Sequence, residues 1–497
     1  MKSSRNTSNL KRIMLTHMAE HILLGKEDRE LDRLPIRMAE EMKKTYRCCK
    51  YRDRAVLKYR LMAGLGMAAE KEVDELTPPS EYLAMAKSRV KTGKRPEGET
   101  LTVISEACSS CPGGGYHISD ICRGCVARPC ETSCPVNAVS IIGGRSVIDK
   151  ERCIQCGKCA KECPYGAILK LPVPCEDACP VAAITKNENG REGINFEICI
   201  SCGKCMTACP FGAVADISHL ADVLLQIKNN KHITALYAPS VAGQFPGSLE
   251  QINRGIVLAG FSSVYEVASG ADKTTVLEGR ELTERIGEGA PLMTTSCCPA
   301  FVETVKKHVP DMAGLLSATP SPMMLTAELA KEEYPETLTV FIGPCTAKKV
   351  EAAKSGMIDY VLTFEELGAI FLAAGVDTTQ IEENKQANSA KGPRAHREGR
   401  GFGVSKGVAT AVMQNIKSNL DIKPVCINGL DKKQIKLLKA YAKGKAPGNF
   451  MEVMACEGGC INGPGTICPT AVAQQKTLEF VQQAKPISSV PKVKTCI

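Results

Sequence analysis

CIQCGKCAKECP, Cys153–Pro164, and CISCGKCMTACP, Cys199–Pro210, decide how this sequence is read. Each spaces its cysteines as C-x2-C-x2-C-x3-C and follows the last with proline. The first run holds Cys153, Cys156, Cys159 and Cys163, the second Cys199, Cys202, Cys205 and Cys209. This is the bacterial ferredoxin run: three closely spaced thiolates wrap one [4Fe-4S] cubane, and the fourth, fixed before proline, ligates the neighbouring cubane. A zinc ribbon needs only two C-x2-C pairs and would leave the third and fourth cysteine of each run without a purpose.

Working outward, Cys122, Cys125, Cys130 and Cys134, followed by Pro135, form a looser run with one gap widened. Paired with the run at Cys153 it makes a two-cluster ferredoxin module. Crossed ligation joins Cys122, Cys125 and Cys130 to Cys163, and Cys153, Cys156 and Cys159 to Cys134. Cys175 and Cys179, before Pro180, are the second half of another such motif, so Cys179 joins Cys199, Cys202 and Cys205. Cys175 and Cys209 then need two partners, and Cys108 and Cys111 are the unassigned pair. Sixteen cysteines lie between Cys108 and Cys209 and divide into four sets of four. A fourth cluster is therefore expected, with a structural or zinc-binding Cys108–Cys111 pair as the alternative.

The chain has 497 residues, 26 Cys and no Trp. Its 44% apolar and 24% charged content is that of globular protein of two to four domains, which excludes wholesale disorder and a collagen-like structure. No apolar run is long enough to span a bilayer. The start is basic, but IMLTHMAEHILL, Ile13–Leu24, is broken by His17, Glu20 and His21, a poor secretory segment. A reducing, cytoplasmic setting is expected, where cysteines read as metal ligands or redox groups rather than disulfides.

Residues 1–107 read as a helical N-terminal region, with Pro78 and Pro79 breaking the pattern before a short helix near Tyr82–Val90 and a linker over Lys91–Glu99. Residues 108–215 form the iron–sulfur segment. From Ile217 an amphipathic helix gives way to β-rich runs at Ile233–Tyr237, Ser263–Val267, Leu338–Ile342 and Tyr360–Thr363, alternating with helical stretches. That alternation predicts α/β layers with parallel strands over 216–484, a polar surface loop over 379–400 and a tail over 485–497.

The C-terminal half carries three cysteine loops: TTSCCPAF (Thr294–Phe301), GPCTAKKVE (Gly343–Glu351) and MEVMACEGGCINGPG (Met451–Gly465). Adjacent Cys297 and Cys298 do not easily share one cubane. Cys298, Cys345, Cys456 and Cys460 supply four thiolates from three loops, and Lys348 brings a positive charge to the same place. At these residues the chain resembles the [FeFe]-hydrogenases, group B among them. The resemblance covers about residues 108–475 and implies α+β ferredoxin-like dicluster modules followed by an α/β hydrogenase H-domain. It implies that the four cysteines hold the cubane of an H-cluster, with Cys460 bridging to a two-iron subsite carrying CO, cyanide and a dithiolate. Lys348 would hydrogen-bond a cyanide, Ser321–Pro322 matches the second cyanide-binding turn, and Ala238–Pro239 the strand-end loop. Met454 and Phe402 match apolar lining positions, and Cys297 the proton donor. The implied reaction is 2H⁺ + 2e⁻ ⇌ H₂, with ferredoxin or a similar one-electron carrier as partner and dedicated maturation proteins.

Hydrogen formation needs a proton path through a dry core. Glu278 and Glu281 have the family's E-x2-E spacing, and Ser317 precedes Ser321 by four, giving the expected relay Glu281, Ser317, Glu278, Cys297. The alignment needs a one-residue gap, and a solvated helix face is the alternative for the two glutamates. The sequence departs from the best-known members at Gly343 (usually Met), Met323 (commonly Gln), Phe301 (Trp) and Pro464 within a glycine triplet. Two rivals remain. One is a non-catalytic assembly or H₂-sensing relative, which tends to lack the cysteine and lysine present here as Cys297 and Lys348. The other is a polyferredoxin, which would not need the three loops.

His17-x-x-Glu20-His21 imitates a metalloprotease pattern but reads as a helix surface. Gly64, Gly66 and Ala69 imitate a dinucleotide fingerprint with no strand before them. Cys48, Cys49, Cys426, Cys468 and Cys496 have no assigned role. The basic N-terminal helices are a candidate dock for an acidic ferredoxin. The formal charge of +9 suggests nucleic acid. Four oxidised cubanes at about −2 each would bring it to roughly +1, so no nucleic-acid partner is expected.

Overall fold

Runs of Val, Ile, Leu and Phe without polar alternation fit strands buried on both faces. They build a four-stranded parallel sheet in the order Ser263–Glu266, Ile233–Tyr237, Leu338–Ile342, Tyr360–Leu362. The computed structural model describes residues 4–42, 47–96, 98–111, 113–382, 392–416 and 420–487; Cys496, most of the tail and the middle of the 379–400 segment lie outside them. Helices follow the strands directly. Ser248 and Thr363 close capping boxes with Gln251 and Glu366 at the starts of Leu249–Leu258 and Phe364–Ala373.

A second parallel sheet has Phe450–Met454 between Met293–Thr294 and Pro424–Asn428. The sequence reading did not anticipate it, because Met293–Thr294 is two residues long and FMEVM carries a glutamate in mid-strand. Both sheets send their strand ends the same way. Tyr237 leads to Ala238–Pro239, Ile342 to the loop of Cys345, Met454 to that of Cys456, and Thr294 to Cys297–Cys298. Loops at the carboxyl ends of parallel strands are where α/β proteins build sites.

The Cys-rich segment is a chain of short antiparallel pairings. Gly115–Ile118 pairs with Ile168–Leu171 around the hairpin Val139–Ile142/Arg145–Ile148. Ile184–Lys186 pairs with Glu192–Ile194. Leu101–Val103 pairs with Val214–Asp216 and closes the segment at its base.

The N-terminal helices Ser4–Leu24, Leu34–Glu41, Lys50–Gly64 and Pro79–Lys91 do not form a core of their own. Met14, Leu15 and Met18 join one apolar cluster with Leu220, Leu224, Phe364 and Phe371. Some of their basic residues are committed inside the molecule, while Lys26, Arg29, Arg33, Arg37 and Lys50 stay exposed. Lys11 Nζ lies 2.7 Å from Asp216 and 2.9 Å from Glu365, and Arg89 clasps Asp222 at 2.9 Å. Lys349, 2% exposed, meets the other oxygen of Asp216 at 3.0 Å. The expected linker is likewise pinned, Arg95 donating to Asp359 at 2.5 Å and to Ile358 O at 3.1 Å. The end of the expected surface loop is seated too. His396 and Gly399 donate to Asp272, and Arg400 grips Glu266, because a helix at Arg397–Gly401 needs its first amides capped. His17 faces Glu20 at 3.6 Å, but His21 is buried, so the helix-surface reading fails at that end of the motif because His21 packs into the helical core.

Candidate active site

The thiols gather as crossed ligation requires. Cys122, Cys125, Cys130 and Cys163 line one small cavity, and Cys134, Cys153, Cys156 and Cys159 another. Burial pushes the Cys205 thiol up, and nearby Cys202, Cys199 and Cys179 add to it, which places those four together. The last set assembles as well. Burial raises Cys111, with Cys108 and Cys209 adding to the shift, while Cys175 is pushed to about 12 by burial, Glu192 and Cys209. Among the described residues no three His, Cys, Asp or Glu side chains converge closely enough for a single metal ion. Four thiols spread around a cavity suit the donor set of a cubane.

The three loops of the C-terminal half meet at one cavity lined by Cys297, Cys298, Cys345, Cys456 and Cys460. Burial raises Cys456 well above its ordinary value, reinforced by Cys345, Cys460, Cys298 and Cys202. Cys202 belongs to the second ferredoxin run, so that run abuts the site. Gly203 makes the approach possible. It sits at φ 72° to start the helix Lys204–Ala208, and a Cβ there would lie 2.6 Å from Pro464. Thr346 Oγ1 donates to Ser201 O at 2.7 Å, and Lys307 donates to Cys199 O at 2.7 Å, clamping the run from two sides.

Lys348 Nζ reaches into this cavity, donating to Glu351 at 2.6 Å, Ser321 Oγ at 3.3 Å and Cys297 O at 3.4 Å. Burial alone would lower its pKa, but the charge of Glu351 holds it above the ordinary value, so it remains an ammonium. Ala238, Pro239, Pro322, Met323, Phe402 and Met454 line the same space. Sequence reasoning missed two neighbours. Ser240 is fully buried with an unpartnered hydroxyl at the cavity wall; its signal was its place one residue beyond Ala238–Pro239. Phe341 explains Gly343: a Cβ at 343 would lie 2.6 Å from the Phe341 ring, which fills the space a methionine would take. An orphan hydroxyl, a buried ammonium and apolar walls fit a compact ligand carrying acceptor atoms.

The residues of the expected relay lie behind Cys297. Glu281 accepts from Ser317 Oγ at 2.5 Å, Ala318 N at 2.9 Å and Thr319 Oγ1 at 3.0 Å, and pairs with Arg285 at 2.6 Å. Burial works against ionisation, but these donors win and hold Glu281 below the usual carboxylate range. Glu278, fully buried, accepts the Ser296 N–H at 3.3 Å on Oε1 and feels the Ser317 hydroxyl, and its Oε2 is buried without a close hydrogen-bond partner among the described residues. Burial pushes its pKa up to about 8, the Ser296 N–H pulls back, and the charge of Glu281 adds to the rise. Burial also pushes the Cys297 thiol well up, with Glu278 the next contributor. The outer carboxylate is charged and the inner carboxyl and thiol are protonated, the order a proton relay needs. The helix-surface alternative does not hold for Glu278.

Residues 231–464 match the family described as iron only hydrogenase large subunit, C-terminal domain. Residues 146–169 match a 4Fe-4S binding domain and residues 169–220 the LdpA Fe-S cluster-binding domain. The chain is 28% identical over 289 residues to iron hydrogenase 1 of Clostridium pasteurianum, covering 47% of this chain and 50% of that protein. It is 29% identical over 379 residues to the periplasmic [Fe] hydrogenase large subunit of Nitratidesulfovibrio vulgaris, covering 64% of this chain and 85% of that one. Thus the chain spans about half the length of the clostridial relative. A 23% match covers 42% of this chain and 55% of cytosolic iron-sulfur assembly component 3 of Mus musculus. A solved structure of a [FeFe]-hydrogenase HydA1 variant from Chlamydomonas reinhardtii is 23% identical, covering 55% of this chain and 91% of that one at a TM-score of 0.46. Among the described residues no helix is long and apolar enough to cross a membrane.

Proposed function

We propose that this iron-only hydrogenase-like chain catalyses 2H⁺ + 2e⁻ ⇌ H₂ at a cofactor held by Cys298, Cys345, Cys456 and Cys460. The observation that carries the reading is a single buried cavity that combines these four thiols with Cys297 and Lys348 and is backed by a neutral Glu278. A two-iron subsite with CO, cyanide and dithiolate ligands, attached through Cys460, would supply the redox chemistry. The protein residues do the rest. Lys348 and the free hydroxyl of Ser240 donate to acceptor atoms of the bound group, with Ser321 beside them. Met323, Phe402 and Met454 exclude water, which strengthens those charge-assisted bonds. Cys297 holds a proton at Sγ, and Glu278, Ser317 and Glu281 renew it from the surface.

Four sets of cysteines, the innermost of them Cys179, Cys199, Cys202 and Cys205, would hold accessory [4Fe-4S] clusters that supply electrons to the site. An external one-electron carrier and maturation proteins complete the system, and an anaerobic, reducing cytoplasm suits the exposed Cys156. A second reading, a non-catalytic assembly or sensor protein, is favoured by the mouse match. Anaerobic maturation followed by infrared spectroscopy and a reduced-viologen H₂ assay separates the two. CO and cyanide bands with H₂ evolution are expected. Intact cubanes without those bands would defeat the hydrogenase reading and leave the second.

A further inference from the structure

The accessory thiol sets fall in a spatial order. Cys202 borders Cys456 at the inner end. Cys175, Cys179, Cys205 and Cys209 share one apolar cluster, which joins the set at Cys199 to the set at Cys108. Gln155 donates to Gly114 O at 3.4 Å, bringing the loop after Cys111 against the set at Cys153. The set of Cys122, Cys125, Cys130 and Cys163 is therefore outermost. The rim of its cavity carries exposed apolar side chains, as the segment also does further along at Ile142 (64% exposed) and Ile154 (62%). Val126 is 98% exposed, Ile121 57% and Tyr165 52%, three large apolar side chains left in water around one cluster. Arg123, Arg128 and Tyr165 line the cavity itself, and no Asp or Glu does. Between residues 113 and 171 there are eight Lys and Arg against five Asp and Glu.

We infer that the collar of Ile121, Arg123, Val126, Arg128 and Tyr165 is the docking surface for an acidic one-electron carrier protein. Apolar side chains this exposed, rimmed by cations, mark a transient protein interface. The occupant is acidic because two guanidiniums stand at the mouth, each suited to a bidentate carboxylate, and because they offset the anionic cubane that would otherwise repel it. On the N-terminal helices, Lys11 and Arg89 are taken up by Asp216, Glu365 and Asp222. At each encounter the carrier is oxidised by one electron and the outermost cubane is reduced from 2+ to 1+; no bond forms or breaks, and two encounters supply one H₂. The fate of those electrons rests on the proposed hydrogenase reading, but the surface does not.

The test is isothermal titration of the cluster-loaded full chain with an oxidised, acidic two-cubane ferredoxin. Arg123→Glu and Val126→Asp are each expected to raise Kd about tenfold or more, the former less so as salt increases. The Val126 side chain points into water and does not line the cluster cavity, although Val126 follows Cys125 directly, so V126D is compared with the native chain at equal iron content and equal viologen-driven turnover. An unchanged Kd in V126D overturns the inference, whether or not R123E retains its iron. A tenfold rise in Kd for Lys50→Glu, on the N-terminal helices, with none for V126D, overturns it equally. A raised Kd in a protein that evolves no H₂ from viologen sustains the docking surface and counts against the hydrogenase reading alone.

Discussion

Replacing Glu278 with Gln separates chemistry from stability, because the two should move in opposite directions. The carboxyl lies in a fully buried site, and burial lifts its pKa from 4.5 to about 8. At pH 7 it is therefore protonated about ten to one. A carboxyl whose folded pKa is raised stabilises the fold fully below the unfolded value. That contribution is lost as pH rises from about 4.5 through about 8, since the unfolded chain ionises first. The slope is about 1.4 kcal/mol per pH unit, so between pH 6 and 7.5 the native chain should lose about 2 kcal/mol that Glu278→Gln keeps. Urea unfolding at those two pH values reads the difference. Glutamine cannot relay a proton, and H₂ evolution should fall roughly 100-fold or more with iron content unchanged. Infrared difference spectra should show a protonated carboxyl at pH 7 that the variant lacks. Turnover within threefold of native, or stability curves that stay parallel between pH 6 and 7.5, would refute the buried neutral carboxyl as the inner relay.

Three other outcomes are expected. Cys297→Ala should reduce viologen-driven H₂ evolution roughly 100-fold or more while its CO and cyanide bands persist, checked on one anaerobic preparation. Cys175→Ala should lose about four iron atoms by colorimetric analysis if Cys108, Cys111, Cys175 and Cys209 hold a cubane, and none if they do not. Lys349→Met strands Asp216 with a single partner in a buried site and should cost roughly 3 kcal/mol or more of unfolding free energy, measured by urea titration.

The iron–sulfur segment was legible because cubane ligation is local: Cys153 to Cys163 sit within one run, and proline marks the thiol that crosses to the next cluster. The three-loop site lies far apart in the chain, and only its motifs, taken together, brought Cys298, Cys345 and Cys460 into one reading. Features set by packing stayed hidden. Nothing in the pattern around Phe450–Met454 separates a central strand from a loop, since Glu452 is buried there to accept the amides of Lys406 and Ala409. Gly343 looked like a loss until Phe341 was seen in its place. The N-terminal region read as separate helices because the partners of Lys11 lie 205 and 354 residues away.

That last separation bears on how the molecule is made. Helix Ser4–Leu24 leaves the ribosome before the iron–sulfur segment, yet Lys11 cannot complete its bonds until Glu365 has been synthesised. At about 5–20 residues per second the wait is roughly 20 to 70 s. Within that interval every cysteine from Cys108 to Cys209 is made while the helix that covers the base of the segment has no finished seat. The Asp216 junction is complete only once Lys349 and Glu365 have been made, so the N-terminal helix is held by the C-terminal half rather than by its own neighbours in sequence.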